Sequence, residues 1–304
     1  MPDTSAQDWQ ARPEAGNTLG MRLLMWVAKR LGRRPLLLLL YPVTAYFYLS
    51  RAPERRASRA FLSRVFVRPA RDSEVFKHFY SFARVTADRF FFLAGRAAEV
   101  PLEFVGGDEV QRVVDTGKAG IFLAAHLGSF EAARVVGPEL GGIDLRIVLD
   151  QQQGGRFVDM MARINPEMVN KIIDSEQGNV ALGLSIAQAL RNHEWVGFLA
   201  DRFRPGDRTT DCKFLGDSAR FPLGPYLIAN TFSAPVICAF CRLTEDGYEV
   251  HCEVLSDAVQ VPRQNRAAAL NALADRYVER LEHHVRATPY AWFNFFDFWK
   301  SAYD

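Results

Sequence analysis

The 304-residue sequence is poor in cysteine, with Cys212, Cys238, Cys241 and Cys252 and none earlier. That excludes a disulfide scaffold. Cys238 and Cys241 have the spacing of half a zinc site, which Cys212 and Cys252 could complete. The pair sits in the apolar run PVICAF rather than on a glycine-rich knuckle, so buried thiols are expected and no metal site. Charge of one sign is equally scarce: 37 basic against 35 acidic residues give a formal net charge of +2, too little for a general nucleic-acid binder. No secretory signal is apparent, because residues 1–18, MPDTSAQDWQARPEAGNT, are polar and lead from no basic start into an apolar run. No unbroken apolar span is present either. Residues 19–49 are strongly apolar, but Lys29, Arg30, Arg33, Arg34 and Pro42 interrupt them before the roughly 20 residues a spanning helix needs. There is no internal repeat, no low-complexity tract, and no serine or cysteine in a nucleophile elbow, since Ser129 lacks the flanking glycine pattern.

What is present is apolar bulk, 49% hydrophobic residues, enough for one main globular unit. Residues 1–18 are expected to be a disordered tail. Residues 19–100 read as a helical, membrane-associating region, with Trp26, Tyr41, Tyr46 and Tyr48 as amphipathic anchors for a hairpin dipping into one leaflet. A pair of core helices packed on the enzyme is the competing reading. Residues 51–71, RAPERRASRAFLSRVFVRPAR, set seven arginines against Glu54 alone, with Phe61, Leu62, Val65 and Phe66 at helical spacing. This is a basic amphipathic helix suited to anionic headgroups or an acidic carrier, or else a solvated face. A further helix is expected over 76–93, where His78 reads as a surface or core residue.

From Pro101 the pattern alternates. Strands are expected at 102–105, 121–125, 145–149, 171–173, 195–200, 235–242 and 248–254. Helices are expected near 108–114, 129–136, 157–164, 179–191, 225–233 and 266–286, with a polar loop over 202–211 and a hairpin turn at Glu245-Asp246-Gly247. This predicts an α/β domain over 101–304 with a mixed, largely parallel sheet flanked by helices, whose ligand sites collect at strand C-terminal ends. His126 and Asp201 both follow such strands.

The stretch IFLAAHLGSFE, 121–131, reads as strand, histidine, helix. A histidine five residues before a glutamate means little by itself. At a strand-to-helix turn, however, His126 and Glu131 can face each other, Glu131 fixing the imidazole tautomer and backbone N–H groups at Gly128 and Ser129 holding an oxyanion. Such a dyad needs an external nucleophile, which the substrate hydroxyl would supply. Arg202 and Arg204 are candidates to hold a phosphate or headgroup, or to pair with Asp207 and Asp211. His193, His251, His283 and His284 read as structural. The terminal aromatics 292–299 would line an acyl groove, meet the membrane, or pack across the sheet.

AAHLGSFE around His126, FLADRFRPG around Asp201, FLGDSARFPLGPYLIANTFSAPVICAF over 214–240 and the terminal PYAWFNFFDFW together resemble the bacterial lysophospholipid acyltransferase superfamily. The branch is similar to the late acyltransferases of lipid A biosynthesis. The resemblance covers about residues 20–300. It implies a membrane-associated O-acyltransferase at the cytoplasmic face of the inner membrane, taking its acyl chain from acyl carrier protein or coenzyme A, with no other cofactor. It also implies His126 as general base, Glu131 as its partner, Asp201 lining the site, and Phe221, Pro222, Leu223 and Gly224 near acceptor or acyl chain. The chain departs from the pattern at Leu149-Asp150-Gln151-Gln152-Gln153, where relatives often carry Tyr-Arg, and near Asp174-Ser175, where a basic residue is missing. It departs again at Trp292-Phe293-Asn294-Phe295, where lipid A enzymes favour tryptophan, then histidine and arginine. Both kinds of change remove positive charge, so a less anionic acceptor or a polyene-type acyl chain is expected. A hydrolase using the same base with water, or a non-catalytic lipid-binding protein, are the alternatives.

Overall fold

The computed structural model describes residues 26–136, 143–150, 169–204 and 206–300. The expected helix over 157–164 and the tail 1–18 lie outside these residues. Helix α1 (Arg33–Ser50) carries Leu36, Leu40 and Thr44 on one buried stripe at i, i+4 and i+8. This stripe packs against α3 (Asp72–Leu93). The Arg33 guanidinium forks onto Asp88 at 2.7 and 2.9 Å, and Asp88 also accepts the Tyr248 hydroxyl at 2.8 Å. One buried carboxylate therefore ties two helices to the sheet. The opposite stripe of α1 exposes Leu38, Tyr41, Tyr46 and Leu49, with exposed Trp26 and Leu31 just before it. No helix among the described residues is long and apolar enough to cross a membrane.

Helix α2 (Ala52–Phe66) buries Ser58, Phe61, Leu62 and Val65, as its spacing predicts. Several arginines of this segment are engaged by partners in the fold. Arg59 pairs with Asp72 and Arg55 with the Tyr48 carbonyl. Arg64 donates to Asp217 at 2.8 Å while lying over the Trp299 ring, and Arg68, just beyond the helix, pairs with Glu74. These four side chains act as clamps between α2 and its neighbours.

The remaining elements are β1 (Leu102–Val105), α4 (Gly107–Val114), β2 (Ile121–Ala124), α5 (Phe130–Val136), β3 (Leu145–Leu149), β4 (Ile172–Asp174), α6 (Asn179–Arg191), β5 (Trp195–Leu199), β6 (Thr209–Phe214), β7 (Asp217–Pro222), α7 (Gly224–Phe232), β8 (Val236–Leu243), β9 (Tyr248–Ser256) and α8 (Arg266–Ala287). Among the described residues seven strands form one sheet in the order β1-β9-β8-β2-β5-β3-β4. All its pairings are parallel except β8 with β9. The expected mixed, largely parallel α/β sheet is thus present. Strand β2 is buried along its whole length, as befits a central parallel strand covered on both faces. Phe61, Leu62 and Val65 of α2 share one core with Ile121, Leu123 and Val196 of the sheet, so the helical layer packs directly on it.

The expected polar loop over 202–211 is corrected in part. Residues from Thr209 form the hairpin β6–β7, closed by Leu215-Gly216 with φ of 51° and 95°. Two residues with positive φ suit a tight hairpin whose turn twist matches the strands. Gly106 precedes α4 with φ 90°, and Asp108 lies within its first turn.

Candidate active site

Strands β2 and β5 are hydrogen-bonded neighbours with Ala124 opposite Leu199. Two residues beyond each lie His126 and Asp201, so the sheet register alone brings them side by side. Asp201 Oδ1 accepts from His126 Nδ1 at 2.8 Å, and Oδ2 accepts from the His126 backbone N–H at 3.0 Å. Because a carboxylate only accepts, Nδ1 carries the proton and Nε2 keeps its lone pair. No hydrogen bond to Nε2 is found among the described residues. The His126 side chain is 27% exposed whereas that of Asp201 is fully enclosed, so an accessible ring stands on a buried carboxylate.

Asp201 gathers two more donors from the end of the chain. Trp292 Nε1 donates to Oδ2 at 2.9 Å and Asn294 Nδ2 at 3.2 Å. Arg202 orients that amide, its Nε donating to Asn294 Oδ1 at 2.6 Å while another nitrogen reaches the Phe293 carbonyl at 2.9 Å. The terminal segment is itself pinned to the histidine: Phe293 N–H donates to the His126 carbonyl and Gly128 N–H to the Ala291 carbonyl, each at 2.8 Å. Burial disfavours the charge on Asp201, but His126 and Arg202 outweigh it and hold the carboxyl well below its usual range. Burial, then Arg202, lower the His126 pKa against the opposing pull of Asp201, favouring the neutral imidazole. Burial pulls Arg202 down to about 10, Asp201 acting the other way.

Glu131 is not the partner of His126 Nδ1. Ser129 Oγ accepts from the Ala132 N–H as a helix cap and donates to Glu131 Oε2 at 3.1 Å, while Glu131 Oε1 faces Arg89 Nε at 3.2 Å. The first turn of α5 therefore engages the buried carboxylate with Arg89 of α3. Of the anticipated oxyanion donors, the Gly128 N–H is already engaged, bonding the Ala291 carbonyl. Gly128 is required here, with φ +66° and a position where a Cβ would lie 2.2 Å from the Cys241 carbonyl oxygen.

Arg204 is a cross-brace rather than an open ligand. It bonds the carbonyl and hydroxyl of Ser175 and pairs with Glu176 at 2.7 Å and Asp150 at 3.5 Å, joining the ends of β3, β4 and β5. The anticipated partner Asp207 accepts only its backbone N–H. Phe221 and Pro222 are buried at the end of β7. Phe221 meets Phe298 edge to face, and Phe298 meets Trp292 in the same way, so Phe221 backs the site through two rings, and Leu223 and Gly224, half-buried, open α7. The four cysteines are buried and unpaired by disulfides, and no metal-holding cluster occurs among the described residues. Trp292 and Asn294 contribute to the site in a role that the sequence reading did not assign them; their signals were the block PYAWFNFFDFW and its departure from relatives at Trp292-Phe293-Asn294-Phe295.

The constellation is a strand-end histidine of fixed tautomer, with a free Nε2, beside enclosed positive charge and without a serine or cysteine nucleophile. It can take a proton from a hydroxyl that a substrate brings. A comparison with curated proteins returns no match. The family model for bacterial lipid A biosynthesis acyltransferases matches residues 19–301, and the chain belongs to that family.

Proposed function

We propose that the protein transfers an acyl chain from a thioester of acyl carrier protein or coenzyme A to a hydroxyl of a lipid acceptor, with His126 as general base and Asp201 as the group that orients it. The observation carrying this reading is the 2.8 Å bond from His126 Nδ1 to Asp201 at the paired ends of β2 and β5. His126 Nε2 takes the acceptor proton as the oxygen attacks the thioester carbonyl. The tetrahedral oxyanion collapses with cleavage of the C–S bond, and the imidazolium returns the proton to the departing thiolate. With the Gly128 N–H engaged, the positive field of Arg202, supported by Arg89, is the stabiliser assigned to the oxyanion.

The acceptor in this reading is weakly anionic. Among the described residues the arginines named for this site are balanced by carboxylates: Arg89 meets Glu131, Arg204 meets Asp150 and Glu176, and Arg202 feels the charge of Asp201. Among those residues little positive charge is left over for phosphates. Attachment to the cytoplasmic face of the inner membrane is assigned to the exposed stripe Leu38, Tyr41, Tyr46 and Leu49 with Trp26 and Leu31, lying in the interface plane with Lys29, Arg30 and Arg34 near one end.

The test is product analysis with labelled acyl carrier protein or coenzyme A thioester and a total lipid extract. An acylated lipid is the expected product. Free fatty acid as sole product, with every candidate acceptor present, would overturn transfer in favour of hydrolysis.

A further inference from the structure

His78 is buried in the second turn of α3, far from the sheet ends in sequence and outside the proton-transfer step described above. Its ring makes two hydrogen bonds, Nδ1 with Ser58 Oγ at 2.8 Å and Nε2 with the Trp292 carbonyl at 2.9 Å. A carbonyl only accepts, so Nε2 carries the hydrogen, and Nδ1 accepts from the Ser58 hydroxyl. The tautomer is thereby set without a charged partner, and burial keeps the ring neutral, with a pKa lowered to about 4. The imidazole is further packed against rings of the terminal segment, stacking on Phe295 at 4.6 Å and Phe293 at 5.9 Å, with Phe61 of α2 at 5.5 Å.

These contacts converge on one residue. Trp292 has its carbonyl held by His78 and its indole N–H held by Asp201 Oδ2, the carboxylate that carries His126. The backbone on either side of Trp292 is paired to the His126 carbonyl and the Gly128 N–H. Ser58, His78, Trp292 and Asp201 are all fully buried. A continuous line of hydrogen bonds thus runs from α2 through α3 and the terminal segment to the strand-end histidine.

We propose that His78 is a positioning residue for the active site: by fixing the Trp292 main chain it holds the indole N–H on Asp201 and so sets the basicity of His126. This deepens the reading of His126 as the base, and it has a definite sign. The indole N–H withdraws negative charge from Asp201. If Trp292 loosens, the carboxylate presents more of its charge to the imidazole, and water entering the gap lessens the burial that lowers the His126 pKa. Both changes raise that pKa, and an outward shift of Arg202, which Phe293 and Asn294 of the same segment hold and whose charge lowers the His126 pKa, acts in the same direction.

The experiment is an NMR titration of the histidine ring nitrogens in the full-length protein, the His126 resonance being assigned by its loss in His126→Ala. His78→Phe is expected to raise the His126 pKa by on the order of one pH unit, the size of one lost hydrogen bond to a charged group. His78→Gln, whose amide can donate to the Trp292 carbonyl and accept from Ser58, is expected to restore most of the parent value. A His126 pKa identical in His78→Phe and parent overturns the proposal. Should His78→Phe fail to fold, Ser58→Ala replaces it, with a smaller shift of the same sign expected and no shift overturning the proposal. The titration reads the coupling whether or not acyl transfer is detected, so failure of the functional reading and failure of this link are separable.

Discussion

Asp201 Oδ1 lies 2.8 Å from His126 Nδ1 across 75 residues of sequence, whereas Glu131, five residues from the histidine, bonds Ser129 and faces Arg89. The acid that orients the base is therefore the one supplied by the neighbouring strand. Asp201→Asn is expected to lower kcat by roughly 10²- to 10⁴-fold, because an amide turned to donate toward Nδ1 stabilises the wrong tautomer. Glu131→Gln is expected to act mainly on stability, by about 1–3 kcal/mol, since it removes the counter-charge of Arg89. Steady-state kinetics and thermal unfolding of the two variants separate these effects. A larger loss of kcat in Glu131→Gln than in Asp201→Asn would contradict the assignment.

The pH dependence has a fixed sign. His126 must be neutral to act, and its pKa lies below the ordinary 6.5, so kcat/KM is expected to rise with pH along an acid limb centred below 6.5 and then level off. An acid limb centred above pH 7, persisting with more than one acceptor, would contradict a base held in this way.

Stability follows a related rule. The folded-state pKa of His78 is lowered from 6.5 to about 4, so as pH falls below 6.5 the unfolded chain takes up a proton that the folded chain refuses. Stability is lost progressively from pH 6.5 down to about 4, by on the order of 3 kcal/mol from this group, and no further below that. Denaturant unfolding across this window is expected to show a shallower slope in His78→Gln than in the parent.

Much of this architecture was legible in sequence. The alternation after Pro101 marks the strands and helices, and the abrupt endings of IFLAA on a histidine and of WVGFLA on an aspartate place both residues at strand ends. Their adjacency was not legible, because β5 joins β2 directly although β3 and β4 intervene in the chain, an order that local patterns do not encode. Glu131 drew attention through its spacing, but the decisive feature was side-chain direction: Ser129 caps α5 and turns the glutamate toward α3. The roles of Trp292 and Asn294 depend on the chain returning some 90 residues after Asp201, so their aromatic block did not disclose them. The β6–β7 hairpin did leave a signal, Leu215-Gly216 between alternating residues, that was masked by the polar stretch before it. The partners of Arg59, Arg64 and Arg68 were not visible in the pattern of the basic helix, because the acids that meet them lie outside it.

The exposed stripe of α1 makes a surface prediction. A Leu38→Glu, Leu49→Glu double variant is expected to fold as the parent does and to bind vesicles of mixed neutral and anionic lipid at least about tenfold more weakly, the loss of roughly one buried leucine. Sedimentation with vesicles checks this. Unchanged partition would place the membrane contact elsewhere.

Gly128 offers a stability test of the strand-end turn. Gly128→Ala forces a side chain into a φ of +66° and against the Cys241 carbonyl. It is expected to cost at least about 1–3 kcal/mol from backbone strain alone. A variant as stable as the parent would mean the turn is not built as described.

The most direct measurement is single-turnover acyl transfer by purified His126→Ala beside the parent, with a labelled acyl thioester and a lipid extract as acceptor. The rate constant for forming acylated lipid is predicted to fall by roughly 10²- to 10⁴-fold with the fold intact. Transfer at the parental rate would contradict the central claim that His126, held by Asp201, activates the acceptor.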